Sequence, residues 1–267
     1  MKNVYIAPKD YTVNSINPFT DDGSYDRTWS LFIVDETVQG MIFSGKSPFG
    51  CYCIRATPKY KYFNELMADV LQYETDNGRK VIFVTDGEEN KYLDNITTNY
   101  KDSIIRKSDP RFLVHSTMMT TYDKILEDGL LKSPNRLHKE GYNIHAIGLE
   151  PLGEPDDYLD YVMFADGGIA PEFVINSRLC GYVNCDPNAK YTPQARMYFD
   201  CYKIIHDGIM VRDVGRKVYD NVSLSKYLIK TVFQSDVNLP DGQDYWTPLS
   251  FSSEADKLMN NYIRDKV

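Results

Sequence analysis

The chain has 267 residues, of which 42% are hydrophobic and 25% charged, an ordinary globular balance that excludes intrinsic disorder and low-complexity architecture. Its 30 basic and 38 acidic residues leave a net charge of −8, which argues against a protein that grips nucleic acid by its backbone and restricts any RNA contact to a local basic patch. No apolar run reaches the ~20 residues of a membrane span and the opening Met-Lys-Asn-Val-Tyr lacks a signal-peptide core, so a cytoplasmic protein is expected. The five cysteines, Cys51, Cys53, Cys180, Cys185 and Cys201, have no zinc-like spacing and read as reduced thiols, with Cys51 and Cys53 filling one face of a strand.

In chain order, Trp29–Val34, Val38–Ser44 and Gly50–Ala56 are β-rich runs separated by polar breaks. Phe63, Leu66, Met67, Val70 and Leu71 then recur at helical spacing, with Gly78 at the expected C-terminus. Lys80–Thr85 reads as a buried strand turned by Asp86-Gly87. Asp109-Pro110 marks a domain junction, because the residue before proline is pushed out of the helical region. Beyond it come a strand at Arg111–His115, a helix capped by Thr121 and ended by Gly129, and an acidic stretch over 140–177 that reads as a solvated loop or lid. Cys180–Asn184, Arg196–Cys201 and Ile209–Arg212 are strand candidates, with a short helix over Tyr202–Asp207. The tail is a helix with Ser253 and Asp256 as its capping box and Ala255, Leu258, Met259 and Tyr262 as its apolar face.

Gly40-Met-Ile-Phe-Ser-Gly45-Lys46-Ser47 fits the phosphate-loop pattern, and Val81–Asp86 resembles the acidic strand that would hold magnesium. The mechanism requires a loop leading into a helix N-terminus, whereas Met-Ile-Phe is strand text and Pro48-Phe-Gly50-Cys-Tyr-Cys-Ile reads as another strand. A P-loop NTPase is therefore the weakest of the enzymatic readings.

The residues that carry chemistry cluster after the junction. Val114-His115-Ser116-Thr117 closes a strand, a helix follows, and Gly129-Leu-Leu-Lys-Ser-Pro-Asn-Arg136-Leu-His138 comes next. Histidine and hydroxyl side chains suit ribose hydroxyls, and the planar fork of Arg136 suits phosphate. A sugar phosphate fits better than a metal, since His115, His138 and His145 lack the spacing and carboxylates of a zinc helix.

His-Ser-Thr, then Ile125-Leu-Glu-Asp-Gly129-Leu130, then Arg136-x-His138 resembles the opening of the catalytic domain of NAD-dependent RNA 2′-phosphotransferases, which show His-Gly-Thr, Ile-x-x-x-Gly-Leu and Arg-x-His in that order. These enzymes belong to the ADP-ribosyltransferase superfamily, whose DNA-modifying toxins share a similar opening. Met197 to Ile209 resembles the family's strand, aspartate, short helix and Asp-Gly, and Ser223–Leu228 its closing segment, so the likeness covers about residues 111–230. The family's Arg-Ala-x-Gln-Gly-His lobe and the toxins' Glu-x-Glu or Gln-x-Glu have no counterpart, Gln234-Ser235-Asp236 being the nearest substitute.

The elements before the junction make a small mixed α/β module over residues 1–109, and the resemblance implies an ADP-ribosyltransferase-like split-sheet domain over 110–267, so an α+β chain is expected. The resemblance also implies NAD as substrate, with nicotinamide leaving and an acceptor, phosphorylated RNA or a protein, attacking the ribose. His115, Arg136 and His138 would be catalytic; His115, Ser116, Thr117, Tyr182 and Asn184 would bind NAD, with Tyr182 either stacking on nicotinamide or packing as a strand residue. Arg106, Lys107 and Arg111, with Lys132, Arg136 and Lys139, are the basic groups that could form a rim for an acceptor phosphate. The alternative from a different class is a catalytically silent domain of this fold that binds a partner protein.

Overall fold

The computed structural model describes residues 3–11, 17–20, 28–38, 42–46, 51–85, 99–144 and 153–265. The chain is mixed α/β and divides into two units. The first comprises Met1–Asp102 with Gly148–Tyr158 and Val211–Val214, and the second Ser103–Ile147, Leu159–Met210 and Gly215–Val267. The division falls before the Asp109-Pro110 junction because Asp109 belongs to the second unit's interior. Its carboxylate accepts from the Arg106 amide at 2.8 Å and pairs with Arg216 at 3.3 Å.

In the first unit, β1 (Val4–Pro8), β2 (Trp29–Val34), β3 (Ile42–Lys46), β4 (Tyr52–Ala56) and β5 (Lys80–Thr85) form one sheet in the order β1-β5-β2-β4-β3. Neighbours are parallel except β3, which runs antiparallel to β4 along the edge. The central strands are almost wholly buried, which is why they read as continuous apolar runs rather than alternating ones. Helix α1 (Phe63–Asp76) packs on β5 and ends before Gly78, whose φ of +77° is the left-handed turn only glycine adopts freely. Cys51 and Cys53 lie in the core with Trp29, Leu31 and Ile82, as expected of thiols on one strand face.

Gly45 and Lys46 pair with Cys53 and Tyr52 as the last residues of β3. Neither opens a helix, so the phosphate-loop mechanism has no structural basis at that match. The expected strand over Val38–Ser44 is observed at Ile42–Lys46, and the Asp86-Gly87 turn lies outside the described residues.

The second unit begins with β6 (Phe112–Thr117), α2 (Met119–Asp128), β7 (Leu130–Lys132), α3 (Pro134–Lys139), β8 (Tyr161–Phe164) and α4 (Ala170–Cys180). It continues with β9 (Ala195–Asp200) and α5 (Cys201–His206) to β10 (Met210–Arg212), which spans the boundary between the units. It closes with β11 (Arg216–Tyr219), β12 (Asn221–Ser223), α6 (Leu224–Tyr227), β13 (Leu228–Val232) and α7 (Pro248–Arg264). Strands β13, β9 and β6 form an antiparallel sheet in that order; β8 pairs with β11 and β7 with β12. Leu113, Met197 and Phe199 on one face meet Leu131, Val162, Phe164, Val218 and Val222, while Phe112, Val114 and Tyr198 on the other meet Ala255 and Met259 of α7. Period-two alternation along β6 therefore serves two cores at once.

Four sequence expectations are corrected. The 140–177 stretch is not a solvated loop: its described part supplies β8 and most of α4, and Glu172 is fully buried. Cys180–Asn184 is not a strand; Cys180 ends α4, and Gly181 turns the chain with φ +76°. The capping box of α7 is Thr247 with Ser250, each hydroxyl accepting from the other's amide at 3.0 and 2.9 Å, so Ser253 and Asp256 lie inside the helix. Nor does Thr121 cap α2: the N-cap is Met118, whose carbonyl accepts from the Thr121 hydroxyl at 2.9 Å.

Candidate functional site

Within the second unit, β6 and β8 touch through one bridge, Val114 to Ala165, closed by hydrogen bonds of 2.8 and 3.0 Å. Beyond it β6 stays with β9 and β8 with β11, so the two sheets diverge at His115. The imidazole faces the divergence: Nδ1 lies 3.0 Å from the Met163 carbonyl, and the ring packs edge-on against Phe164 at 6.2 Å. A carbonyl can only accept, so Nδ1 carries the proton and Nε2 keeps its lone pair. Desolvation holds the imidazole neutral, its pKa pushed down to about 4; the Met163 bond opposes this and the Arg178 guanidinium adds to it. A neutral acceptor nitrogen can take a hydrogen bond from a hydroxyl.

The neighbouring hydroxyls are engaged. Ser116, on the opposite face of β6, donates to Glu172 at 2.6 Å, and Thr117 shares a 2.7 Å bond with Thr121. Glu172 also pairs with Arg196 at 2.7 Å and accepts from Tyr191, and Arg196 reaches Asp256 at 2.6 Å and the Gly168 carbonyl at 2.9 Å. Tyr198 donates to Asp256 at 2.7 Å and Asp256 accepts from the Gly168 amide at 2.7 Å, so one buried network ties β6, β9, α4, α7 and the turn after β8. Two carboxylates offset the cost of burying the Arg196 charge.

The structure gives Arg136 carboxylates in place of a phosphate: Nε lies 2.7 Å from Glu140 and Nη1 3.4 Å from Asp220. Lys132 is held likewise by Asp128 at 2.7 Å and Glu140 at 2.6 Å. A phosphate at this rim would compete with those carboxylates, and Arg111 is turned onto the Tyr202 ring at 5.5 Å. His138 is exposed, with Nε2 3.0 Å from the Ile144 carbonyl. Tyr182 is 65% exposed in the turn after α4, which rules out core packing. Asn184 folds back on that helix, its amide donating to the Ser177 hydroxyl at 2.9 Å.

Sequence reasoning missed Met163, which no side-chain pattern could reveal because its backbone carbonyl is what matters.

The first unit holds a cleft of about 200 Å³ bordered by Trp29, Tyr52, Arg79 and Asp157. Arg79 spends its fork on Glu74, at 2.6 and 2.9 Å, and on Asp157 at 2.6 Å. These charges satisfy one another and assign no chemistry to the cleft. Among the described residues no group of histidine, cysteine and carboxylate side chains could hold a metal ion, and no helix is long and apolar enough to cross a membrane.

No protein-family model matches the chain, and no curated protein or solved structure matches it.

Proposed function

We propose that the second unit is an NAD-consuming transferase domain of the ADP-ribosyltransferase type, akin to the RNA 2′-phosphotransferases that its motifs resemble. The observation that carries this reading is His115: a neutral imidazole, its Nδ1 proton committed to Met163, placed where two sheets part. Nε2 then accepts from a ribose hydroxyl and orients the sugar, while nicotinamide leaves through an oxocarbenium-like transition state and the acceptor attacks the same carbon. A neutral histidine at about pH 7 supplies positioning rather than a proton. Tyr182, exposed beyond α4, is free to meet a flat ring.

A catalytically silent, partner-binding domain is the second reading, and one observation favours it: Ser116, Thr117 and Arg136, three of the motif's polar groups, are spent on partners within the chain. NAD distinguishes the two. The transferase reading expects NAD to bind and nicotinamide to be released, alone or with 2′-phosphorylated RNA, as followed by chromatography. Binding without release supports the silent domain, and no binding at all contradicts the transferase.

A further inference from the structure

We infer that Cys180 is an oxidation site, a thiol that hydrogen peroxide converts to a sulfenic acid held by the carboxamides of Asn176 and Asn184. The inference is independent of the transferase reading, because it concerns the end of α4 and is read on the sulfur itself.

The carboxamide of Asn176 is buried and only half satisfied. The residue is 2% exposed, and its Nδ2 finds no hydrogen-bond partner among the described residues. An interior donor left without an acceptor is costly and rare in native proteins. The other half of the same planar group, Oδ1, accepts from the Cys180 thiol at 3.9 Å. One helical turn separates the two residues, so amide and sulfur share a face of α4. A second carboxamide meets the same sulfur: Asn184 Nδ2 donates to Sγ at 3.7 Å. Its backbone holds it there, the Asn184 amide donating to the buried Ser177 hydroxyl at 2.9 Å and its carbonyl accepting from that hydroxyl at 3.4 Å.

A thiol cannot complete this set. It has one proton to give, and turning the Asn176 amide over exchanges an orphan donor for an orphan acceptor. A hydroxyl on the sulfur completes it, its oxygen accepting from Nδ2 while its proton goes to Oδ1. The separations of 3.9 and 3.7 Å exceed an oxygen-centred hydrogen bond by about 1 Å, which leaves space for that oxygen. Cys180 is exposed, so peroxide reaches it. The thiolate sulfur attacks one peroxide oxygen, the S–O bond forms as the O–O bond breaks, and the departing hydroxide takes up the proton the thiol released and leaves as water. Sulfur loses two electrons and peroxide gains them.

Cys185 provides the comparison. It is exposed as Cys180 is, five residues on, and its sulfur has no hydrogen bond among the described residues. The two thiols differ in their carboxamides and not in access.

The test exposes the full chain to hydrogen peroxide, traps sulfenic acid with dimedone and locates it by peptide mass spectrometry, in Cys185→Ser and in Cys180→Ser so that the two thiols cannot form a disulfide with each other. The trapped yield at Cys180 is expected to exceed that at Cys185 at least about fivefold, the equivalent of one neutral hydrogen bond. Within Cys185→Ser, adding Asn176→Leu or Asn184→Ala is expected to lower the Cys180 yield towards the Cys185 level. Asn176→Leu removes the orphan donor at similar volume, so its melting temperature is expected to be unchanged or higher, a result that a merely structural asparagine would not give. Should Asn176→Leu fail to fold, Asn184→Ala decides. Equal yields at the two cysteines, or a Cys180 yield indifferent to the asparagine changes in proteins that melt normally, overturn the inference. Nicotinamide release bears only on the transferase: the oxidation site stands if NAD is never consumed, and the transferase stands if Cys180 is never oxidised.

Discussion

The ring of His115 and the carbonyl of Met163, 48 residues apart in the chain, meet at 3.0 Å and fix the imidazole as the tautomer with a bare Nε2. Because the folded pKa, about 4, lies below the ordinary imidazole value of 6.5, the unfolded chain binds the extra proton between these values. Stability from this residue is therefore complete above about pH 6.5 and is lost as pH falls towards 4. The expected difference is on the order of 3 kcal/mol across that window. Chemical denaturation at pH 7 and pH 4.5 should show a smaller pH dependence in His115→Asn than in the wild type, and an unchanged dependence would place the effect elsewhere.

The fully buried pair of Glu172 with Arg196 makes an asymmetric prediction. Glu172→Ala leaves an arginine charge and the Ser116 and Tyr191 hydroxyls short of an acceptor, and is expected to cost about 3–5 kcal/mol in urea denaturation. Replacing both partners with methionine removes the unpaired charge and is expected to cost less than the single change.

Gly167 has φ +96°, and a Cβ built there would stand 3.2 Å from the Asp256 carboxylate that anchors the adjacent Gly168. Gly167→Ala is expected to destabilise by about 1–3 kcal/mol, through backbone strain and displacement of that carboxylate. Gly129→Ala, with the same sign of φ but open space around its Cβ, isolates the backbone part and should cost less.

Thiol exposure offers a test that needs no variant. Cys180 and Cys185 are exposed, whereas Cys51, Cys53 and Cys201 are buried. Two of the five thiols should react rapidly with an aromatic disulfide reagent in the native protein and all five only after denaturation.

Much of this fold could be inferred from local patterns, and the exceptions share a cause. Trp29–Val34 and Lys80–Thr85 were readable to the residue because buried parallel strands leave unbroken apolar runs. The helices ending at Gly129 and Gly208 were readable because both glycines take the left-handed turn, at φ +64° and +69°. The acidic stretch misled because composition reports charge and not pairing: Glu172 finds Arg196, and Asp166 pairs with Arg216. Ser253 with Asp256 imitates a capping box, but Pro248 and Thr247 set the true helix start and leave Asp256 for Arg196. At the site, His115 was visible as a motif, while its carbonyl partner depends on tertiary placement that no local pattern contains.

The central claim is that His115 orients a ribose for nicotinamide departure, and nicotinamide release from NAD by wild type and His115→Ala measures it most directly. Release by the wild type is expected to fall at least about tenfold in the variant, the loss of roughly one hydrogen bond to the ligand, with native-like melting above pH 7. Release that is equal in the two proteins, or absent from the wild type with every acceptor offered, would contradict the account.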